Sequence, residues 1–493
     1  MRKTFDRQQR LDCPPVSGIH LNLNCRNETI PILRALQHIY SRPTVRDSIL
    51  RAIARDVNGR SSPRCGRPGM SYWEILVLAA VRLGCNCDYD QLQDLAENHR
   101  ALRQIMGIGG WESDEQDKKK FDWRRIAGNV CLLRPETIAQ INQALIQEGH
   151  RLEPEAARTV RGDSFVAETN VHFPTDNSII RDGLRKIISL AAMLAELVGV
   201  GGWRQHKHLY QKAKKLSREI ERIAARKGNG CRQRLKRPYR ELLELAEIVC
   251  RRANMLRETL EKRGIAVAEA LTLDRELDAF LQRTRHICGT ARRRVLDGET
   301  IPHREKLFSV FEPHTQMYKR GKAGEPMQFG RLVLLYEDGA GFITHYYILP
   351  REQSDRDVVV QQTRKAQRRH QGRIRRASFD RGFHSPDNQK ELAKIIEHPC
   401  LPVCGVHQAA QQEKTASVEF REARQSHPGI ESAIGALQSG NGLERCRDRS
   451  ERGFARYIGL GVLGRNLHVL GKLLIAREAP GCQAARSRRQ SAA

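Results

Sequence analysis

The segment "ARTVRGDSFVAETNV" alternates apolar with polar residues and is rich in β-branched side chains, which reads as a strand over residues 158–167. A strand cannot stand alone, because its backbone N–H and C=O groups need partners. None lies near it in the chain. From 178 to 300 apolar residues recur at three- and four-residue spacing, the period of helices. Strand signals resume only after 301. The first strand must therefore pair across the helical stretch. Residues 178–300 read as an insertion into an α/β domain whose first part is 158–177 and whose remainder is 301–478. Such an insertion costs little if its two ends lie close together.

After the insertion the parts come in a definite order. "GRLVLLYEDGAGFITHYYILP" is two β-rich runs joined by "EDGAG", a hairpin in which Asp338 is turn chemistry. "SDRDVVVQQTRKAQRRHQ" is a basic helix opened by Asp355 and Asp357, where acids favour the helix N-terminus. "GRIRRASFD" is a short strand ending at Asp380, and "HPCLPVC" a further one. "GIESAIGALQSG" begins a helix with Glu431 near its first turn. "ARYIGLGVLGRNLHVLGKLLIAR" is a last amphipathic helix in which Asn466 reads as structural. Residues 479–493 form a short, basic tail expected to be disordered.

Before the first strand the chain reads as all-α. Residues 1–110 carry "PILRALQHIY", "TVRDSILRAIARDV" and the strongly apolar "SYWEILVLAAVRLGC". In "DYDQLQDLAENHR", Asp88 followed three residues later by Gln91 is a capping box. Residues 111–157 read as connecting helices, one of them started by Pro135.

Charge points to the partner. Lys and Arg number 85 against 57 Asp and Glu, a net charge of +28, spread along the chain. Such a chain is expected to bind a polyanion, since each phosphate contact releases condensed counterions. The densest block, 204–237, holds 13 Lys or Arg against Glu219 and Glu221. Lys212, Lys214, Lys215 and Arg218 within it are the candidate phosphate contacts; a solvated helix face is the plain alternative. Aromatic residues are only 5%, which argues against a single-strand stacking platform. The thirteen cysteines form no paired C-x-x-C set, so reduced thiols and no zinc centre are expected. No run approaches the roughly 18 apolar residues of a membrane span, and the N-terminus has no signal-peptide core. A soluble, cytoplasmic, nucleoid-associated protein with no membrane partner is the expectation.

Two strand-end aspartates and one helix-borne glutamate remain: Asp163, Asp380 and Glu431. A strand, a hairpin, a helix, a strand and a final helix are the parts of a ribonuclease-H-like layered fold, which brings neighbouring strand ends side by side under a helix. Three carboxylates at one spot repel one another, a cost that a divalent cation removes. Oxygen donors suit Mg²⁺, and two such ions support in-line displacement at phosphorus. Other acids read differently. Glu168 is an odd number of residues from Asp163 and so on the other face of the strand, while Asp176 and Asp387 suit caps or turns.

"VRGDSFVAETNVHFPTD", "KRGKAGEPMQFGRLVLL", "SFDRGFHSPDN" and "HPGIESAIGALQSGNGLERCRDR", with the N-terminal "GRPGMSYWEILVLAAVRLGCNCDYDQLQDLAENHRALRQIMG", resemble the DDE transposases of bacterial insertion sequences, in particular the ISNCY family group. The resemblance covers most of residues 30–472. It implies metal-dependent DNA cleavage and strand transfer at terminal inverted repeats, by a protein acting as a homodimer on DNA. Its triad falls on Asp163, Asp380 and Glu431, holding two Mg²⁺ ions for which Mn²⁺ substitutes, with double-stranded DNA as the partner. A helical DNA-binding module fits residues 1–110, and from pattern alone a plain helical bundle without DNA contact fits nearly as well. Arg381, beside the second Asp, reads as a phosphate contact or as the salt-bridge partner of a carboxylate; Arg424 stands before the Glu, where family members often hold a basic residue, and is a further candidate phosphate contact. Gln438 stands where many relatives carry Lys, and residues 401–408 are poor in Lys. A DNA-binding copy that has lost the chemistry is therefore one alternative, and a nuclease without strand transfer another.

Overall fold

The computed structural model describes residues 2–4, 14–59, 62, 69–109, 120–226, 228, 230–264, 267–319, 327–402 and 417–478. The expected tail at 479–493 and most of the Lys-poor stretch at 401–408 lie outside the described residues. The chain divides into two compact units: Met1–Asn170 with Arg331–Ala493, and Val171–Gly330.

The first unit is mixed α/β. Its helices before the sheet are α1 (Thr29–Tyr40), α2 (Pro43–Asn58), α3 (Tyr72–Gly84), α4 (Tyr89–Asn98), α5 (Arg100–Ile105), α6 (Trp123–Val130) and α7 (Pro135–Leu152). Local chemistry starts several of them. Ser71 and Glu74 form a capping box on α3, Asp88 and Gln91 another on α4, and Pro135 opens α7.

β1 (Thr159–Glu168) follows, and the chain returns from the second unit through β3 (Met327–Asp338) and β4 (Ile343–Ile348). β3 and β4 are antiparallel, and Asp338 Oδ1 accepts from the backbone N–H groups of Ala340 and Phe342 to shape the turn between them. Then come the helix Asp355–Arg369, β5 (Arg376–Phe379), the helix Pro386–Ala393, β6 (His398–Cys400), and the helices Val418–Ser426, Gly429–Gly435 and Glu451–Glu478. β1, β5 and β6 run parallel in the order β1-β5-β6, with β3 on the other side of β1.

Side-chain parity splits this sheet into two faces. On one face Ser164 donates to Asp355 Oδ2, and Tyr336 and Phe379 meet edge to face with their centroids 5.7 Å apart. On the other, Phe165, Val333 and Leu335 join a core with Ile430 and Leu463. That core also holds Leu33, Leu78 and Ile141 of α1, α3 and α7. The N-terminal helices therefore bury their apolar sides in the same core as the sheet.

The helix Glu451–Glu478 is the one described helix long and apolar enough to cross a membrane, but 72% of its apolar window is buried in this core. The buried Asn466 explains its polar interior: its amide joins Ile343 N, Ile343 O and Asn142 Oδ1.

The second unit is mostly helical. α8 (Asp176–Leu197), α9 (His206–Ala225), α10 (Cys231–Lys262) and α11 (Ala268–Val295) bury one apolar core built on Leu184, Leu216, Leu242 and Leu281. The compact unit is wider than the helical stretch 178–300, because it also takes in β2 (Gln316–Lys319), antiparallel to the Met327–Gly330 start of β3. α10 begins at Cys231 and runs through Pro238, so it takes in the basic residues that precede the proline.

Candidate active site

With the remaining helices numbered α12 (Asp355–Arg369), α13 (Pro386–Ala393), α14 (Val418–Ser426), α15 (Gly429–Gly435) and α16 (Glu451–Glu478), the expected triad can be located. β1 and β5 pair in parallel, with Arg161 opposite Ser378 and Gly162 opposite Phe379. Asp163 follows within β1, and Asp380 is the first residue after β5. Asp380 keeps an extended backbone at φ −75° and ψ 166°, so the alternation of faces carries through it. The two aspartates leave adjacent strands at corresponding positions and towards one face, where neighbouring backbones lie about 4.8 Å apart. Asp163 is half-buried and Asp380 exposed. Asp163 Oδ1 accepts from Ser164 N at 2.7 Å.

α15, which carries Glu431, packs on β1 on that same face. Glu431 is exposed. Its helix continues directly into a π-helical turn, Ala436–Gly440, which holds the half-buried Gln438.

The connection from α14 to α15 is held by the strand residues two before each aspartate. Arg161 Nη1 donates to Ser426 O at 2.8 Å, and its Nη2 lies 2.7 Å from the buried Glu337 Oε2. Ser378 Oγ and His427 Nδ1 are 3.1 Å apart. Burial lowers the His427 imidazole below its ordinary value; Arg424 and Arg161 push the same way, while the carboxylates of Asp380 and Glu431 oppose them. His427 thus feels both candidate ligands, which join the second strand and the helix in one electrostatic neighbourhood. Burial raises the Glu337 carboxyl, against the pull of Arg161 and Arg465.

These four residues, Arg161, Ser378, His427 and Glu337, were not among the candidates read from the sequence. The signal for two of them was there: a strand residue two before a site aspartate faces the same side.

Among the described residues no group of three or more His, Cys, Asp or Glu side chains is gathered closely enough to hold a metal ion as it stands. The other acids fall where local structure uses them. Asp176 lies in the first turn of α8, which Thr175 caps, and pairs with Arg294 at 2.7 Å; Asp387 lies in the first turn of α13; Glu168 lies 3.6 Å from Arg445.

Of the candidate cations, Arg381 is exposed in the turn after Asp380, and Arg424 is half-buried on α14 beside His427. Lys212, Lys214, Lys215 and Arg218 lie on α9, in the second unit. Lys212, Lys215 and Arg218 are exposed at three-residue steps along one side of the helix, and Lys214 is half-buried. None of the four is ion-paired with an acid among the described residues, unlike Arg257, which holds Asp274 at 2.7 Å and Asp278 at 2.6 Å. Also in this unit, α10 and α11 line a half-open cavity of about 400 Å³ beside Leu243, Cys250, Met255, Cys288 and Arg292, which includes none of the candidate residues. Burial pushes the Cys250 thiol up to about 11 and that of Cys288 up to about 12, so neither is a ready nucleophile. The described cysteines form no disulfide.

Comparison with family models, curated proteins and solved structures found no match for this chain.

Proposed function

We propose that this chain is a DDE-type transposase with a ribonuclease-H-like catalytic domain, which cleaves DNA at the ends of a mobile element and joins those ends to a target. The observation that carries the reading is the parallel register Gly162–Phe379, which sets Asp163 beside Asp380 on the face where α15 carries Glu431. The strand, hairpin, helix, strand and helix of that reading occur in this order, as β1, β3–β4, α12, β5 and α15.

The donor set suits Mg²⁺ or Mn²⁺: three carboxylates, two of them exposed, with no thiol among them. Asp163, Asp380 and Glu431 would hold the ions, two in number by analogy with other in-line phosphoryl-transfer sites. When bound, the ions supply activation of the attacking oxygen and stabilisation of the leaving one. The chain's own side chains do the rest. Arg381 and Arg424 contact phosphate near the strand ends, and the cations of α9 track the duplex backbone. A homodimer bound to paired terminal inverted repeats is the assembly this reading requires, in the cytoplasm at the nucleoid.

A second reading has one observation in its favour. The three acids do not stand as a ready-made metal cluster, which suits a DNA-binding copy that keeps the fold without the chemistry. One experiment separates the two. Purified protein is incubated with duplex carrying the inverted repeats that flank its gene, with Mg²⁺ or with chelator. Metal-dependent nicking at the repeat end supports the transposase; binding without nicking in Mg²⁺ and in Mn²⁺ supports the decayed copy; cutting without joining supports a nuclease.

A further inference from the structure

Glu431 lies on a helix of seven residues, Gly429–Gly435, too short to fix its own direction. Ile430, Ala433 and Ile434 seat its apolar side in the core, and the chain just before it adds a hold at its start. Arg161 reaches from β1 with one guanidinium nitrogen on Ser426 O and the other against Glu337 on β3, so the fork is anchored to the sheet before it grips the helix connection. Glu337 is 3% exposed, which makes the anchor rigid. Gly429, the first residue of α15, lies so close over the same guanidinium that a Cβ there would collide with Arg161 Nη1 and Cζ. Ser378 holds His427 from the neighbouring strand. The start of α15 is thus fastened to β1, which carries Asp163, and to β5, which stops one residue before Asp380, each time by the residue two before the aspartate.

We propose that Arg161 is a positioning residue for Glu431: its guanidinium, seated on Glu337, sets the place of α15 through Ser426 O and the bare Cα of Gly429, and so sets where the third carboxylate meets the cation. The proposal rests on Glu431 being a metal ligand. It makes the glycine and the arginine one device, since the helix can approach only while position 429 lacks a side chain.

The test uses Arg161→Lys, which keeps a positive charge for Glu337 but loses the planar fork. Full-length protein on end DNA is titrated with Mn²⁺ and the bound ion is read by electron paramagnetic resonance, with hydrogen exchange of residues 418–435 measured in parallel. Arg161→Lys is expected to weaken Mn²⁺ binding about 10- to 100-fold, as loss of a supporting partner does at metal sites, with unchanged DNA affinity and melting temperature. Exchange should rise in 418–435 and stay unchanged in β1. Gly429→Ala should have a similar effect alone and a much smaller one in the Arg161→Lys background, where the colliding group has gone. Equal Mn²⁺ affinity and equal exchange protection in Arg161→Lys and wild type would overturn the proposal, as would strictly additive effects of the two substitutions. A wild type that binds Mn²⁺, loses it in Arg161→Lys and never cuts DNA would leave the proposal standing and overturn the transposase reading alone.

Discussion

Gly162 and Phe379 face each other across the parallel pairing of β1 and β5, and a side chain at Gly162 would run into the Phe379 ring. The register is therefore locked one residue before both strands deliver their aspartates. A slip of one residue would turn Asp163 or Asp380 to the opposite face. Two acids separated by 217 positions in the chain become neighbours through this single pairing.

The first prediction separates chemistry from binding. Asp380→Asn keeps the shape of the side chain and removes its charge. Strand cleavage in Mg²⁺ should fall by several orders of magnitude, because the ion serves both the attacking and the leaving oxygen. Affinity for end DNA should hold or rise, since a negative charge beside the phosphates has gone. The metal-free melting temperature should hold or rise for the same electrostatic reason. Joint loss of binding, cleavage and thermal stability would mark Asp380 as structural instead.

Asn466 offers a test of the core. Its side chain is 0% exposed and links α16 to the backbone of Ile343 and to Asn142 of α7. Asn466→Ala leaves several buried polar groups without that partner, each worth about 1–3 kcal/mol. A loss of about 3 kcal/mol in chemical denaturation is expected, with Asn142→Ala producing a smaller one. A neutral Asn466→Ala would mean that this polar contact does not hold the helix to the sheet.

Much of this was legible in the sequence, and the omissions have physical reasons. The strand at 158–167 and the helical stretch after it could be read from period alone, and the Asp88–Gln91 box from spacing alone. Asp380 was visible because the end of a strand is a local feature; Asp163, expected at a strand end as well, lies in the middle of β1, just past the residues that pair with β5. Arg161 was not, because its partner carbonyl at Ser426 is 265 residues away and only the folded sheet brings them together. α16 reads as amphipathic, yet residues around its whole circumference are buried, since α1, α3 and α7 cover the sides the sheet leaves free.

Acid should destabilise the fold before carboxylates titrate. Burial, with Arg369 next in weight, pushes the His345 imidazole down to about 3, and burial pushes His370 to about 3 as well. His345 Nδ1 accepts from Arg369 Nη1 at 2.8 Å, so the proton sits on Nε2, facing Gln362 Oε1 at 3.1 Å. A second proton has no place. Between pH 6.5 and about 3 the unfolded chain takes up protons at these sites and the native chain does not, so stability is full above pH 6.5 and declines as the pH falls. His345→Gln can offer the same acceptor and donor without titrating. Its unfolding free energy should fall less steeply than that of wild type below pH 6, by about 1.4 kcal/mol per pH unit. Parallel slopes for the two proteins would show that His345 is protonated in the native state.

The last prediction concerns the cations of α9. Lys212, Lys215 and Arg218 point outward along one side of the helix, with Lys214 half-buried among them and no acid paired to any of the four in the described structure. A cation without a protein partner is free to replace a counterion on phosphate, and each replacement adds close to one unit to the slope of log affinity against log salt. Replacing Lys212, Lys214 and Lys215 together with Ala should therefore lower that slope by up to about three units. The loss should be alike on end DNA and on unrelated duplex, because phosphate contacts carry no sequence information. Stability should change little, as these side chains hold no neighbour in place. An unchanged slope would reduce the block to a solvated helix face and move the search for the DNA-tracking surface to another basic part of the chain.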